Sequence, residues 1–424
     1  MKIDNYLKSI LENNSLTQLY IGKNSPNPKI KAIKIDHKTL FRLPSSYHQK
    51  YQIIWAIEDD FAFHINWQQE LDEMVRLITE EGKLIIKCSH SLTHNMISVK
   101  NFLGRRMGLE VSIEFEIPLR AQKIYANEKW LDEDYKTITV FNIKRKNLEI
   151  YQNKLWTFAV LTLGEKVEDV EKFCASIRNL DKKNQHQILI QGAKNSKYDK
   201  YKVDYVPKIR EYRDKYSDIC SKKNDVIDCA KNQNLLICHD RYYLSDNFFT
   251  GFAKYGYDFD FLSTEITYEE NNNWFPSYVK MSNFTNDFEW NRERYCFKYQ
   301  DFAKNNILEN IFINGGLIIS KKDIIKKIKF NECLFHHQIE DVEISKQFNK
   351  YKLPARANLL SKVFTTKIIE EKAKYSNKYI SVGGKIIQKK RPNLYKKINR
   401  AILKSVYVII SNKKLINFLE KRIF

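Results

Sequence analysis

The sequence predicts an α/β fold built as two successive units and closed by a basic tail, and three observations carry that reading. Short apolar strands alternate with amphipathic helical stretches along most of the 424 residues, as expected of sheets covered by helices. One helix is well marked: Val167, Val170, Phe173, Cys174, Ile177 and Leu180 recur at the 3.6-residue period. Finally, Leu235, Leu236, Ile237 and Cys238, too few for a helix of their own, run straight into His239, Asp240 and Arg241. That pattern reads as a buried parallel strand delivering a carboxylate to a sheet edge, and ligands of open α/β sheets sit at the carboxyl ends of the strands. Asp240 is therefore the first candidate site residue. On its own it is equally consistent with a cap for the next helix.

The first unit is placed at residues 1–148. Strands are expected at 16–21, 30–35, 51–57 and 83–87. Between the last two lies an amphipathic helix, apolar at Trp67, Leu71, Met74, Val75 and Ile78, with Gly82 as its C-cap. Two later strands follow at 109–117, strictly alternating, and at 137–143. Asp36 ends the second strand and reads as a ribose-binding acid or a solvated strand end. Glu58, Asp59, Asp60 and His64 read as a polar loop rather than a metal cluster. The basic passage at 144–149 marks the boundary.

The second unit, 149–375, opens with a buried strand at 155–163, which includes Thr162, and the helix at 167–180. A strand at 187–191, a short strand at 203–206, a helix around 221–230 and the strand ending at Asp240 complete a Rossmann-like half with a ligand edge. Aromatics and amides crowd 250–310. Most of those rings read as core, and Trp274, in a polar loop, is the candidate for stacking on a sugar face. Past residue 375 the composition shifts: residues 385–424 hold 12 Lys or Arg against Glu420 alone. There Leu394, Ile398, Ala401, Ile402, Val406 and Ile409 oppose Lys396, Lys397, Arg400 and Lys404. The segment 376–424 thus reads as a basic amphipathic helix lying on an anionic membrane surface. A nucleic-acid tail is the weaker explanation, because the apolar face is broad and no nucleic-acid-binding signature accompanies it.

Composition narrows the classes. At 43% hydrophobic and 13% aromatic residues general disorder is excluded. A net charge of +21 calls for an anionic partner: nucleic acid, membrane or phosphorylated ligand. Seven cysteines without a C-x-x-C pair suit a reducing cytoplasm, not a disulfide framework or zinc module. No apolar leader opens the chain and no run of eighteen apolar residues occurs.

Residues 15–145, with their helix, the run Glu80-Glu81-Gly82-Lys83-Leu84 and a closing strand pair, resemble the second half of a class I S-adenosylmethionine-dependent methyltransferase. The Gly-rich turn and helix that would cradle the cofactor are missing. Gly22 to Pro28, with two prolines, leaves no room for a helix between the first strands. The resemblance therefore implies a degenerate domain serving structure or assembly, and S-adenosylmethionine is not expected as a cofactor.

In the second unit Lys222, Lys223 and Asn224, then Ala230, a strand and an acidic tip resemble glycosyltransferase family 2 and related GT-A enzymes. That resemblance implies donor contacts at Thr162, Lys223, Asn224, Asp240 and Arg241. It also implies a divalent cation, Mn2+ or Mg2+, on Asp240 with His239 as second ligand; Asp246 is a reserve. Arg241, where such enzymes carry a second acid, either removes a metal ligand or shares the phosphate charge. Asn314, Gly315 and Gly316, followed by Glu340 and Asp341 at the start of a helix, resemble the C-terminal part of galactosyl- and N-acetylgalactosaminyl-type transferases. By that likeness Asn314, Gly315, Gly316 and Trp274 meet the acceptor, Asp341 is the base and Glu340 its neighbour; helix capping fits the two acids equally well. His336 and His337 are a further possible metal contact. The activity implied is transfer of a hexosyl group from a nucleotide sugar, UDP-linked, to a capsule- or lipopolysaccharide-type glycan. The acceptor would be free or lipid-linked, at the cytoplasmic face of the membrane. The competing classes are a glycan methyltransferase and a polyanion-binding scaffold.

Overall fold

A computed structural model describes residues 2–59, 61–64, 66–89, 95–118, 124–126, 129–131, 136–210, 219–275, 277–281, 294–297, 299–300, 311–334 and 340–366. The basic tail and His336–His337 lie outside them. The first half comprises α1 (Lys2–Leu11), β1 (Gln18–Ile21), β2 (Lys31–Ile33), β3 (Tyr51–Ala56), α2 (Trp67–Leu77), β4 (Ile78–Ser89), α3 (Met96–Arg105), β5 (Leu109–Pro118), the strand pair β6 (Ile124–Ala126) and β7 (Lys129–Leu131), and β8 (Lys136–Arg145). Its sheet runs β2-β1-β3-β4-β8-β5. The first four strands are parallel, and β8 lies antiparallel between β4 and β5.

The second half comprises α4 (Glu149–Gln152), β9 (Trp156–Leu161), α5 (Val167–Leu180), β10 (Gln187–Gln191), β11 (Asp204–Tyr205), α6 (Ile219–Cys229), β12 (Asn234–His239), β13 (Tyr242–Leu244), α7 (Phe248–Tyr255), β14 (Phe261–Tyr268), β15 (Tyr278–Met281), β16 (Arg294–Phe297), β17 (Ile311–Ile313), β18 (Leu317–Lys321), α8 (Lys322–Ile328), α9 (Glu340–Lys350) and β19 (Arg356–Thr365). The eight-stranded sheet has the order β11-β10-β9-β12-β18-β14-β19-β13. Its four parallel strands stand third, second, first and fourth in chain order, so the strand order reverses between β9 and β12. That reversal opens a crevice at their carboxyl ends.

Periodicity explains most of these elements. In α5 Val170, Phe173, Cys174 and Ile177 are buried against Trp156, Phe158 and Val160 of β9. Each such side chain contributes about 1.5–3 kcal/mol relative to exposure. Among the rings of the 250–310 stretch, Tyr255, Phe259, Phe261 and Phe275 are core residues. One apolar cluster unites Leu71, Leu84 and Ile86 of the first half with Leu235, Ile237 and Ile318 of the second, so the two sheets share a core.

Four local readings differ from the structure. Gly82 is no helix cap: α2 stops at Leu77 and β4 begins at Ile78 without a loop, carrying Gly82 inside the strand opposite Ile143. Residues 144–145 are the last of β8 rather than a linker. Asp36 accepts the amides of Lys38 and Thr39 and so closes a turn. The nominally polar side of α2 is also buried, with Asp72, Glu73 and Arg76 all within the protein.

Those charges face the second half. Arg76 donates to Asp72 (3.0 Å), Asp258 (2.7 Å) and Asp260 (2.5 Å). Arg106 adds bonds to Asp72 (2.7 Å) and Asp260 (2.9 Å), and Arg145 to Asp258 (2.8 Å). Glu73 receives Arg42 (3.3 Å), Arg356 (3.0 Å) and His48 (3.0 Å). Tyr151 donates its hydroxyl to Asp260 at 2.6 Å.

Removing one partner leaves the others charged and buried. Asp258→Ala and Asp260→Ala are each expected to lower the unfolding free energy by about 3–5 kcal/mol, read by urea denaturation. Hydrogen exchange should then show the amides of β4 and β12 losing protection together. Protection lost in one sheet while the other keeps its own would contradict the shared core. Acid should act on the same network. Burial by itself raises Glu73, but Arg42, His48 and Arg356 outweigh it and bring the pKa down to about 2. Asp72 and Asp258 are likewise held below the usual carboxylate range against burial, by Arg76 with Arg106 and by Arg145 with Arg76 respectively. Unfolded, these acids take up protons near pH 4, whereas the folded chain keeps them ionised. Stability is therefore expected to be present above about pH 4 and to fall as the pH drops from there toward 2. A flat denaturation midpoint across that window would refute it.

Candidate functional site

Thr162 and Asp240 are the first residues beyond β9 and β12, the two strands on either side of the reversal. The Thr162 hydroxyl donates to Asp240 Oδ2 at 3.0 Å and accepts the Gly164 amide at 3.0 Å. It thus ties the acid tip to the loop that leads into α5. Burial raises the Asp240 carboxyl above its ordinary value, while the Thr162 hydrogen bond, Lys166 and Arg241 draw it back.

The antiparallel pairing of β12 with β18 sets Cys238 opposite Leu317, and the His239 amide donates to the Gly316 carbonyl at 3.0 Å. The acidic tip and the Gly315–Gly316 turn, more than seventy positions apart in the chain, are therefore neighbours. Asn314 shapes the turn, accepting the Gly316 amide on its side-chain oxygen at 3.0 Å. A Cβ on Gly316 would lie 2.7 Å from the Tyr242 hydroxyl and 3.0 Å from Arg241 Nη2. A Cβ on Gly315 would lie 2.9 Å from both Asp341 Cβ and Glu340 Oε1. Neither position has room for a side chain. The Gly315 amide donates to Asp341 Oδ2 (3.2 Å), and the Val342 amide to Asp341 Oδ1 (2.9 Å). The Gly315 carbonyl and Glu340 Oε1 accept Lys223 Nζ at 3.1 and 3.2 Å.

One continuous group thus joins Thr162, Asp240, Arg241, Gly316, Gly315, Asp341, Glu340 and Lys223. Trp274 is half-buried and paired with Thr267. Next to it, the Phe275 ring meets Tyr242 edge-on at 6.2 Å. Asn224 is engaged elsewhere, donating to the Phe330 carbonyl (3.0 Å) and Glu332 (2.7 Å). Along β12, His239 continues the row of Leu235 and Ile237, whereas Asp240 follows Leu236 and Cys238, so the two side chains leave the strand on opposite faces. Asp246 is exposed beyond β13. Among the described residues no group of three or more His, Cys, Asp or Glu is placed to hold a metal ion. No described helix is long and apolar enough to cross a membrane. Tyr242, beneath Gly316, was not legible as a site residue; in the sequence it reads as one more aromatic in a strand.

No family model matches the chain, and no curated protein matches it. Solved structures do. GalNAc-T7 with UDP, GalNAc and Mn2+ is 12% identical, with 53% of this chain and 45% of that one covered and a TM-score of 0.36. TarS 1–349 of S. aureus is 12% identical, with 52% of this chain and 63% of that one covered and a TM-score of 0.33.

The Thr162 contact has a direct readout. Thr162→Val removes a hydrogen bond that favours the ionised carboxylate, so Asp240 is expected to titrate higher still in a 13C NMR pH titration. An unmoved titration would show that the hydroxyl does not reach it.

Proposed function

We propose that the chain is a nucleotide-sugar-dependent glycosyltransferase, moving a hexosyl group from a UDP-sugar to a hydroxyl of a surface glycan with inversion. The observation that supports it best is the β12–β18 register. It brings a half-buried carboxylate at the strand-order reversal against a side-chain-free turn and, through Gly315, against a second carboxylate. Those are the parts such a transfer needs: a diphosphate pole, a surface that admits a sugar closely and a base.

In this reading Asp341 takes the proton of the acceptor hydroxyl as that oxygen attacks the anomeric carbon. The bond to the nucleoside diphosphate breaks with its electron pair on the departing phosphate oxygen. Arg241, whose guanidinium lies over the Gly316 backbone, stands beside Asp240 to share the negative charge. A divalent cation fits the residues present: Asp240 offers one hard carboxylate, and an ion also ligated by the diphosphate needs only one or two. Such an ion, when bound, neutralises charge on the leaving diphosphate. Divergence of the two side chains leaves Asp240, without His239, as the ligand we assign.

The first half we assign a structural role. Where a methyltransferase would hold its cofactor, the Glu58 carboxylate accepts the amides of Lys23 (2.5 Å) and Asn24 (3.1 Å), and a Cβ on Gly22 would lie 2.0 Å from Glu58 Oε2. The turn after β1 is filled by the protein itself. The basic segment 376–424 would then hold the enzyme at the inner face of the membrane, beside a capsule- or lipopolysaccharide-type acceptor.

The test is UDP-sugar hydrolysis and transfer across a panel of donors, with and without Mn2+. Asp240→Ala and Asp341→Ala are each expected to reduce turnover by about 10²–10⁴-fold in chains that keep their melting temperature. Full activity in both would sink the assignment. Calorimetric binding of S-adenosylmethionine would overturn the structural role of the first half.

A further inference from the structure

Lys223 is fully buried, with its ammonium between the Gly315 carbonyl (3.1 Å), Glu340 Oε1 (3.2 Å) and the face of Phe330, whose centroid is 4.9 Å away. The family likeness implies a diphosphate contact for this residue. The geometry gives it other work. A buried ammonium needs acceptors to offset its lost hydration, and both acceptors here belong to the acceptor-side wall. Asn224, beside it, braces the same wall through Phe330 and Glu332. Gly315 then relays the cation: its carbonyl accepts Lys223 while its amide donates to Asp341 Oδ2 at 3.2 Å.

We propose that Lys223 is a positioning residue for transfer: it draws Glu340 aside, fixes the Gly315 turn and so leaves Asp341 aimed at the acceptor. The proposal rests on the glycosyltransferase reading above. It explains how two adjacent carboxylates take different parts. Glu340 is spent on a buried cation, whereas Asp341 is held only by backbone amides, one from its own helix and one from the turn. It also explains why Gly315 has no space for a side chain, since a Cβ would press on both acids and approach Lys223 Nζ to 3.5 Å. The other titratable groups around this cluster are Glu343 on α9, Glu332 on the loop after α8, and Cys220 on α6, whose thiol burial pushes up to about 12. None of them supplies a positive charge in place of Lys223.

The test compares Lys223→Met and Lys223→Arg in the full chain. UDP binding with Mn2+, measured by calorimetry, is expected to stay within about two-fold of the parent in both. With the UDP-sugar that the parent turns over, Lys223→Met is expected to lose at least ten-fold in kcat with little change in donor KM. Its acidic limb is expected to move to higher pH, because the Glu340–Asp341 pair has lost its cation. Lys223→Arg should recover part of both effects. A melting-temperature cycle checks the pair independently of turnover: Lys223→Met with Glu340→Gln should melt higher than Lys223→Met alone. Ten-fold weaker UDP binding in Lys223→Met would make Lys223 a diphosphate ligand instead. An unmoved pH profile, or a cycle without coupling, would reduce it to ordinary core. A parent chain inert toward every UDP-sugar would overturn the functional reading and the positioning role together, whereas the preceding outcomes overturn the role alone.

Discussion

Arg76 is the charge around which the two sheets are assembled. One guanidinium on α2 is shared by Asp72 of its own helix and by Asp258 and Asp260 of the other half. Burying so many charges carries a heavy desolvation penalty, offset only where geometry and hydrogen bonds are nearly complete. Here Arg106, Arg145 and Tyr151 supply the remaining donors. The network makes the relative placement of the sheets specific, because sliding one against the other would strand several charges at once. Apolar contacts across the same boundary tolerate small shifts far better.

That constraint reaches the candidate site along β18. The Asp260 carbonyl accepts the Ser320 hydroxyl (2.7 Å) and the Lys321 amide (3.1 Å), and Lys321 Nζ donates to Asn234 Oδ1 at 2.7 Å, at the start of β12. The network end of the β12–β18 pair is thereby pinned, and five residues further along β18 the chain emerges from the Gly315–Gly316 turn. A register slip of one residue would reverse the faces of the whole strand. It would also carry Gly316 away from the His239 amide. Fixing one end of an antiparallel pair fixes the other, so charges far from Asp240 help decide what stands opposite it.

How much of this was legible follows from what periodicity reports. α5, β10 and β12 were placed closely because each has one apolar face or a continuous apolar run, and their order foretold the crevice at Asp240. Glu340 was read as a helix start because acids favour that end of a helix. The polar side of α2 misled for the same reason. Asp72, Glu73 and Arg76 have the spacing of a solvated face, and nothing local distinguishes a charge facing water from one facing another charge. The acids at 258 and 260 were hidden within an aromatic run that reads as core, although their alternation with Tyr257, Phe259 and Phe261 is visible once partners are known. α3 went unread despite its capping pair: the Asn95 side chain accepts the Ser98 amide, and Ser98 returns a contact to Asn95.

Lys223 shows the same limit at the site itself. A motif assigns a residue type to a neighbourhood, and here the neighbourhood was right, since Lys223 does stand in the group that includes Gly315 and Asp341. The atom it touches is a matter of tertiary geometry. A lysine stem on the inward face of α6 carries its ammonium into a fully enclosed space, where any acceptor must come from the protein. Gly315 can offer its carbonyl there because it has no Cβ to hold Glu340 and Lys223 apart. The absence of a side chain at one position thus lets a buried cation, two carboxylates and a turn share a space too small for them otherwise. The chemistry open to Asp341 follows from that packing as much as from its own carboxylate.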